Sequence, residues 1–349
     1  MSKLDIRSAN FEQIQQFVAN IGEKPFRSQQ IFEWINSKWA NSFDEMTNLS
    51  ASLRDKLSDI AEISSAECVR TQKSNDGTRK YLLQMHKNGT MDSEKVFAEV
   101  VLMSYKHGYS VCLSSQAGCR MGCDFCASGL NGLDRNLTAG EIAAQYYAAC
   151  KDIGQRIGNI VIMGCGEPLD NYDNILQFIN IINDKRGAAV GQRHITVSTC
   201  GLVPKIYDLL NENLQITLAV SLHAPNDQIR RKIMPVARTY DIDNLLDACR
   251  AYGHLRRISF EYAMFDGIND SVGNAKELAR RLSGINCHIN LIPANKVPEK
   301  GYNKSKDFNI NTFADILKNS GYEATVRRGL GSDISASCGQ LRNEHSKTL

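Results

Sequence analysis

The chain has 349 residues, with 41 Lys+Arg against 38 Asp+Glu and a formal net charge of +3. Hydrophobic residues make up 42% and charged residues 23%, ordinary for a globular protein, and a chain this long outgrows one core, which predicts one large domain and a smaller one. No apolar run approaches the roughly 20 residues that cross a bilayer. The opening MSKLDIRSANFEQIQQF lacks the apolar stretch of a secretory leader, so the expected location is the cytoplasm.

The first 65 or so residues read as helical. Phe11, Ile14, Phe17 and Val18 recur at helical spacing, as do Ile31, Trp34 and Ile35, and then Leu49, Leu53 and Leu57. Asn10 and Ser28 are expected N-caps, and Gly22 stands where a helix ends. Three β-like runs follow, Cys68–Gln72, Arg79–Met85 and Val96–Met103, with Ser74, Asn75, Asp76 and Gly77 supplying the first turn. From Ser110 onward, short apolar runs alternate with amphipathic stretches. The runs are Val111–Leu113, Ile160–Met163, Ile195–Ser198, Ile216–Leu222, Ile258–Met264, Ile289–Ile292 and Ala324–Val326. Helices are expected near 138–152, 171–184, 203–212, 241–252, 271–283 and 310–320, the first opened by a capping box from Thr138 to Glu141. About six such repeats predict an α/β fold, a partial (β/α)6-type barrel, with its site at the C-terminal ends of the strands. The expected domains are 1–65, a small helical N-terminal domain; 66–109, a β-rich extension; and 110–349, the barrel with a glycine-rich tail.

There are 11 cysteines, at 68, 112, 119, 123, 126, 150, 165, 200, 249, 287 and 338. An odd number in a reducing compartment argues against a disulfide framework and for metal binding or thiol chemistry. Right after the first barrel strand the chain reads Gln116-Ala117-Gly118-Cys119-Arg120-Met121-Gly122-Cys123-Asp124-Phe125-Cys126. Three thiolates on one short loop can wrap a single inorganic centre. A structural zinc site wants four ligands, whereas an iron–sulfur cluster held by three cysteines leaves one iron open. Zinc completed by a distant His or Cys, or buried free thiols, remain the alternatives. Phe125 fits either a ring beside the cofactor or a core position.

The loop resembles the radical S-adenosylmethionine (SAM) signature, and Met163-Gly164-Cys165-Gly166-Glu167-Pro168, after the second strand, is similar to that family's glycine–glutamate motif. Nearly the whole chain resembles the RlmN/Cfr family of radical SAM RNA adenine methyltransferases. The motifs are Glu23–Arg27 (EKPFR), Cys112–Cys119 (CLSSQAGC), Asn136–Thr138 (NLT), Gly166–Leu169 (GEPL), Ser198–Gly201 (STCG), Ser221–Asn226 (SLHAPN), Asn290–Pro293 (NLIP) and Ser337–Leu341 (SCGQL). The resemblance implies one [4Fe-4S] cluster on Cys119, Cys123 and Cys126, and two SAM molecules per turnover. SAM contacts fall on Gly166, Glu167, Ser198, Ser221, Leu222, His223 and Asn295. Cys338 becomes the methyl carrier and Cys112 its partner in a transient disulfide, with Glu99 as proton acceptor. The chemistry explains the extra thiols: C2 of adenine is electron-poor and cannot attack a methyl sulfonium, so the carbon arrives as a radical from S-methylated Cys338.

Read alone, several of these residues have plainer roles: Cys112 as a buried strand thiol, Glu99 as an outward strand residue, Glu167 as a turn acid, His223 as a satisfied histidine. One departure is Cys165, where some relatives carry Met. Cys68, Cys150, Cys200, Cys249 and Cys287 sit in apolar patterns and are expected in the core.

The implied partners are 23S rRNA and tRNA, methylated at C2 of adenosine, and an electron donor such as flavodoxin; a monomer is expected. Basic clusters at Arg230-Arg231-Lys232, Arg256-Arg257, Arg327-Arg328 and Lys296, Lys300, Lys304 and Lys306 can meet phosphates or form solvated faces. Lys24, Arg27 and Lys38 lie in the N-terminal region, which resembles an RNA-binding accessory domain. The competing readings are methylation at C8, as in Cfr-type enzymes that confer antibiotic resistance, and a non-catalytic RNA-binding protein with structural zinc.

Overall fold

In a computed structural model of the chain, the structure describes residues 3–85, 95–294 and 300–334. It forms two compact units, each drawn from separated stretches: Met1–Ala117, Asp134–Cys165 and Asn171–Ile195 in the first, Gly118–Leu133, Gly166–Asp170 and Thr196–Leu349 in the second.

The first unit opens with β1 (Leu4–Asp5), α1 (Phe11–Asn20), α2 (Phe26–Asn36), α3 (Ala51–Ile60) and β2 (Ala61–Glu62), with β1 and β2 parallel. Asn10 caps α1 reciprocally with Gln13, both bonds at 2.9 Å, and Gly22 takes the left-handed φ of +76° that ends the turn. Ser28 is not a cap: α2 begins at Phe26 behind Pro25, and Ser28 is buried inside it. A proline at a helix start supplies the φ the first turn needs, which moves the boundary forward. Ile14, Val18, Ile31, Phe32, Ile35, Leu53 and Leu57 bury one common core, worth about 1.5–3 kcal/mol for each large side chain.

Next, β3 (Ala66–Lys73), β4 (Arg79–Met85), β5 (Val96–Tyr105) and β6 (Gly108–Cys112) pair antiparallel in that order. Cys68 is exposed on β3 rather than in the core. That strand lies at the edge of the sheet with β4 as its one paired strand, and six of its eight residues are exposed. The unit continues with β7 (Gln116–Gly118), β8 (Leu133–Asn136), α4 (Ala139–Ile153), β9 (Asn159–Ile162) and α5 (Tyr172–Asn183), with β6 parallel to β9. Thr138 and Glu141 close the capping box of α4, a device worth about 1 kcal/mol.

The second unit is a run of strand–helix repeats: β10 (Ile195–Thr199), α6 (Val203–Asn211), β11 (Thr217–Ser221), α7 (Asp227–Ile233), α8 (Ile242–Gly253), β12 (Ile258–Met264), α9 (Val272–Arg281), β13 (Cys287–Pro293), α10 (Asp307–Asn319) and β14 (Glu323–Val326). Each strand from β10 to β14 pairs parallel with the next. All seven residues of β12 are buried, as expected of a strand covered on both faces. The short α7, capped by Asn226, is an element the sequence pattern missed. Among the described residues no helix is long and apolar enough to cross a membrane.

Candidate active site

The thiol loop runs from Gly118 to Gly132, and Gly118, Gly122 and Gly132 all take positive φ (+81°, +66° and +71°). Those values let a short segment reverse direction without Cβ strain. The Cys119 N–H donates to the Gly132 carbonyl at 2.9 Å, the Cys126 N–H to the Cys123 carbonyl at 3.1 Å, and the Asp124 N–H to Ile233 at 2.8 Å. The backbone therefore holds all three cysteines, each half-buried and none in a disulfide.

Burial pushes the Cys119 thiol up to about 12, and the charges of Cys126, Glu167 and Asp170 push in the same direction against a backbone hydrogen bond at Met121. Cys123 is raised still further, by burial and then by Cys126, Cys119 and Glu167. Cys119 and Cys123 thus resist ionisation partly because their neighbours are sulfurs. Such a set ionises together only when a cation arrives, since metal binding releases the thiol protons. Among the described residues no three His, Cys, Asp or Glu side chains are gathered on one metal ion. Three half-buried thiols held on one short loop are a donor set that an iron–sulfur group takes.

Glu167 sits behind Gly166, whose φ of +104° turns the chain after β9. The carboxylate is buried, accepting from the Cys200 N–H at 2.7 Å and the Leu169 N–H at 3.1 Å. Burial raises it toward the protonated form, while these bonds and those from the Thr199 and Cys200 side chains oppose that. Cys200, expected as plain core, therefore belongs to this cluster. Burial lifts its thiol strongly, with Glu167 and Cys123 adding to it.

Ser198 lies on β10 and Ser221 ends β11; Leu222 and His223 follow directly. The Leu222 N–H donates to the Glu261 carbonyl at 3.0 Å. His223 adopts a left-handed φ of +55°. Its Nδ1 accepts from the Ala263 N–H at 2.9 Å, and its carbonyl accepts from Asn269 at 2.7 Å. Burial, then the charge of Arg230, lowers its pKa to about 3, so the ring is neutral with its proton on Nε2. Phe125 of the thiol loop meets this ring edge-on at 4.9 Å. The structure thus joins the loop to the strand-end residues and makes His223 a fixed, uncharged donor.

In the first unit, Val101 on β5 lies opposite Cys112 on β6 and opposite Lys80 on β4. Opposite residues share a face, as do residues two apart, so Lys80, Glu99 and Cys112 share one side of the sheet. Glu99 is buried, and its carboxylate pairs with the fully buried Lys80 at 3.1 Å. It is therefore no outward-facing strand residue. Lys80 escaped the sequence reading; the alternation of β4 against β5 was the signal that could have found it. Cys165 is buried, and its carbonyl accepts from Ser115 at 2.9 Å and Gln116 at 3.2 Å. Cys338, Asn295 and Lys296 lie outside the described residues.

The basic clusters divide. Arg230 is buried completely, contrary to a place in a surface cluster, because α7 turns it inward beneath the strand ends. Arg231, Lys232, Arg257, Arg327 and Arg328 are exposed. Lys300 pairs with Asp124 of the thiol loop at 3.6 Å, and Lys304 pairs with Asp307 at 2.8 Å.

Comparison with known proteins adds to this geometry. Residues 4–63 match the ribosomal RNA large subunit methyltransferase N-terminal domain, and residues 113–279 match the radical SAM superfamily. A Lachnospira eligens protein named "Probable dual-specificity RNA methyltransferase RlmN" is 48% identical, covering 99% of this chain and 97% of its own. A relative of the same name from Alkaliphilus oremlandii is 49% identical, covering 99% of both chains. The crystal structure of a radical SAM methyltransferase from Sphaerobacter thermophilus superposes with a TM-score of 0.90 at 42% identity, covering 97% of this chain and 98% of the other. The α/β fold is the radical SAM fold, whose cofactors are a [4Fe-4S] cluster and SAM. With nearly half its residues identical over almost its full length, the chain belongs to the RlmN family of radical SAM RNA methyltransferases.

Proposed function

We propose that this enzyme methylates C2 of adenosine in 23S rRNA, at the peptidyl transferase centre, and in tRNA. The observation that carries the reading is the short loop whose backbone bonds hold Cys119, Cys123 and Cys126 half-buried together, with Glu167 buried on the turn after β9. The relatives' name, a dual-specificity RNA methyltransferase, and the ribosomal RNA methyltransferase domain matched at residues 4–63 support the substrate class.

In this reading Cys119, Cys123 and Cys126 would hold the cluster as thiolates. Glu167, with Gly166 giving it room, accepts from the SAM ammonium. Ser198, Ser221, Leu222 and His223 meet the rest of SAM, His223 as an uncharged Nε2 donor, and Asn295 is assigned to the same cofactor by the family resemblance. When bound, cluster and SAM supply the methyl group and the radical that activates it, two SAM being used per product. Cys338 carries the methyl group to the adenine. Glu99, held by Lys80, takes a proton, and Cys112 forms the disulfide with Cys338 that releases the RNA. Cys112 and Glu99 sharing one sheet face supports pairing these roles. An electron donor such as flavodoxin serves the cytoplasmic monomer.

The test is anaerobic incubation of the reconstituted enzyme with rRNA and tRNA fragments, followed by mass spectrometry of the digested nucleosides. 2-Methyladenosine is expected in both RNAs. Only 8-methyladenosine, or a colourless zinc protein without iron, would overturn the proposal.

A further inference from the structure

Arg230 is a cation that nothing above explains. It is 0% exposed on α7. Its Nε donates to the Leu222 carbonyl at 3.2 Å, and its Nη2 to the carbonyls of Cys200 at 2.6 Å and Ser221 at 3.3 Å. Gly201 makes room for this: a Cβ there would stand 3.1 Å from Nη2. Three of the five guanidinium N–H groups are thus spent on the ends of β10 and β11. Nη1 is buried and has no hydrogen-bond partner among the described residues. A buried charged donor left unpaired is costly, and it persists where a partner arrives later. Cys123 packs against the buried cluster of Cys200, Ile233 and Met234, and the Asp124 N–H donates to the Ile233 carbonyl at 2.8 Å, which sets Cys123 beside the helix that carries Arg230.

We propose that Arg230 is the charge partner of the thiol loop: its unpartnered Nη1 donates to the sulfur of Cys123 when the iron–sulfur group is bound, and its charge makes that group easier to reduce. The inference rests on the ligand assignment proposed above. The electron comes from an external donor and adds one negative charge to a buried centre. A fixed cation nearby favours that charge, and hydrogen bonds to the sulfurs act the same way. Hooked to three carbonyls, Arg230 is already in place and needs no rearrangement at reduction. It is a positioning residue for the centre and makes no contact with RNA in this scheme.

Two measurements on the reconstituted full chain, without SAM, test it. Pulsed electron paramagnetic resonance of the dithionite-reduced wild type, grown with arginine labelled with nitrogen-15 in its guanidinium, should show a weak nitrogen coupling. Redox titration should show Arg230→Gln at least tenfold harder to reduce than wild type, about 59 mV for one electron. Arg230→Lys, which keeps the charge, should show less than half of that shift. No coupling in an iron-loaded wild type overturns the proposal, as does an unchanged potential in Arg230→Gln. Equal shifts in both variants trace the effect to packing and also overturn it. A coupling that appears only on adding SAM assigns Nη1 to the SAM carboxylate instead. If Arg230→Gln does not retain iron, the labelled wild type decides alone. A wild type that binds no iron is a different failure, that of the ligand assignment itself.

Discussion

At the scale of single residues, buried polar groups carry the argument. Lys80 and Glu99 form an ion pair with both side chains buried, and breaking such a pair by removing one partner costs about 3–5 kcal/mol, whereas replacing both is often neutral. Lys80→Met should therefore lower the urea midpoint sharply, and Lys80→Met with Glu99→Leu should recover most of the loss. The double variant should fold without methylating RNA; full activity in it would remove Glu99 from the chemistry. His223 makes a separate prediction. Its folded pKa of about 3 lies below the unfolded value near 6.5. The unfolded chain thus binds an extra proton as the pH falls between these values. The stability His223 contributes is complete above pH 6.5 and is lost toward pH 3, at about 1.4 kcal/mol per pH unit. Asn accepts from the Ala263 N–H in the same place and tolerates the left-handed backbone. His223→Asn should flatten the urea-unfolding profile between pH 6 and 4, and an unchanged slope would show that His223 does not govern it.

Elements were legible where a period ran long enough to be read. Ile258–Met264 is a strand end to end in both sequence and structure, because a strand buried on both faces is continuously apolar. The seven-residue α7 was not legible, since its Arg230, Arg231 and Lys232 look like a solvated run although the first points inward. Close approaches between elements also leave little trace in sequence. At Gly164, after β9, a Cβ would come within 2.6 Å of the Ser114 Oγ and 2.7 Å of the Leu113 carbonyl oxygen, just past β6. The Gly164 N–H donates to that carbonyl at 2.9 Å, so the glycine lets two strand ends meet. Gly164→Ala should cost about 1–3 kcal/mol by overpacking. Gly253, at the end of α8, is a fitting control: its added Cβ meets only side chains, at 3.6 Å and beyond. Gly253→Ala should leave the thermal midpoint unchanged or raise it slightly.

Over the whole molecule, what could be read depended on how far apart in sequence the partners stand. The thiol loop was plain because its three cysteines lie within eight residues. The Lys80–Glu99 pair was hidden because only strand register joins it, and Cys68 was misread because an edge strand looks locally like a covered one. The two thiols proposed to act in turn are the most widely separated, Cys112 on β6 and Cys338 near the end of the sequence. If Cys338 carries the methyl group and Cys112 releases the product, the two losses must differ in kind. Cys338→Ala should yield no methylation and no RNA adduct, because no sulfur is left to carry the carbon. Cys112→Ala should form the carbon–carbon bond and stop there, leaving RNA attached to protein. On a denaturing gel that appears as a heavier band that ribonuclease removes, and it should vanish in the Cys112→Ala, Cys338→Ala double variant. Free turnover by Cys112→Ala without an adduct would assign the release step to another group, with Cys165 and Cys200 the buried thiols to examine next.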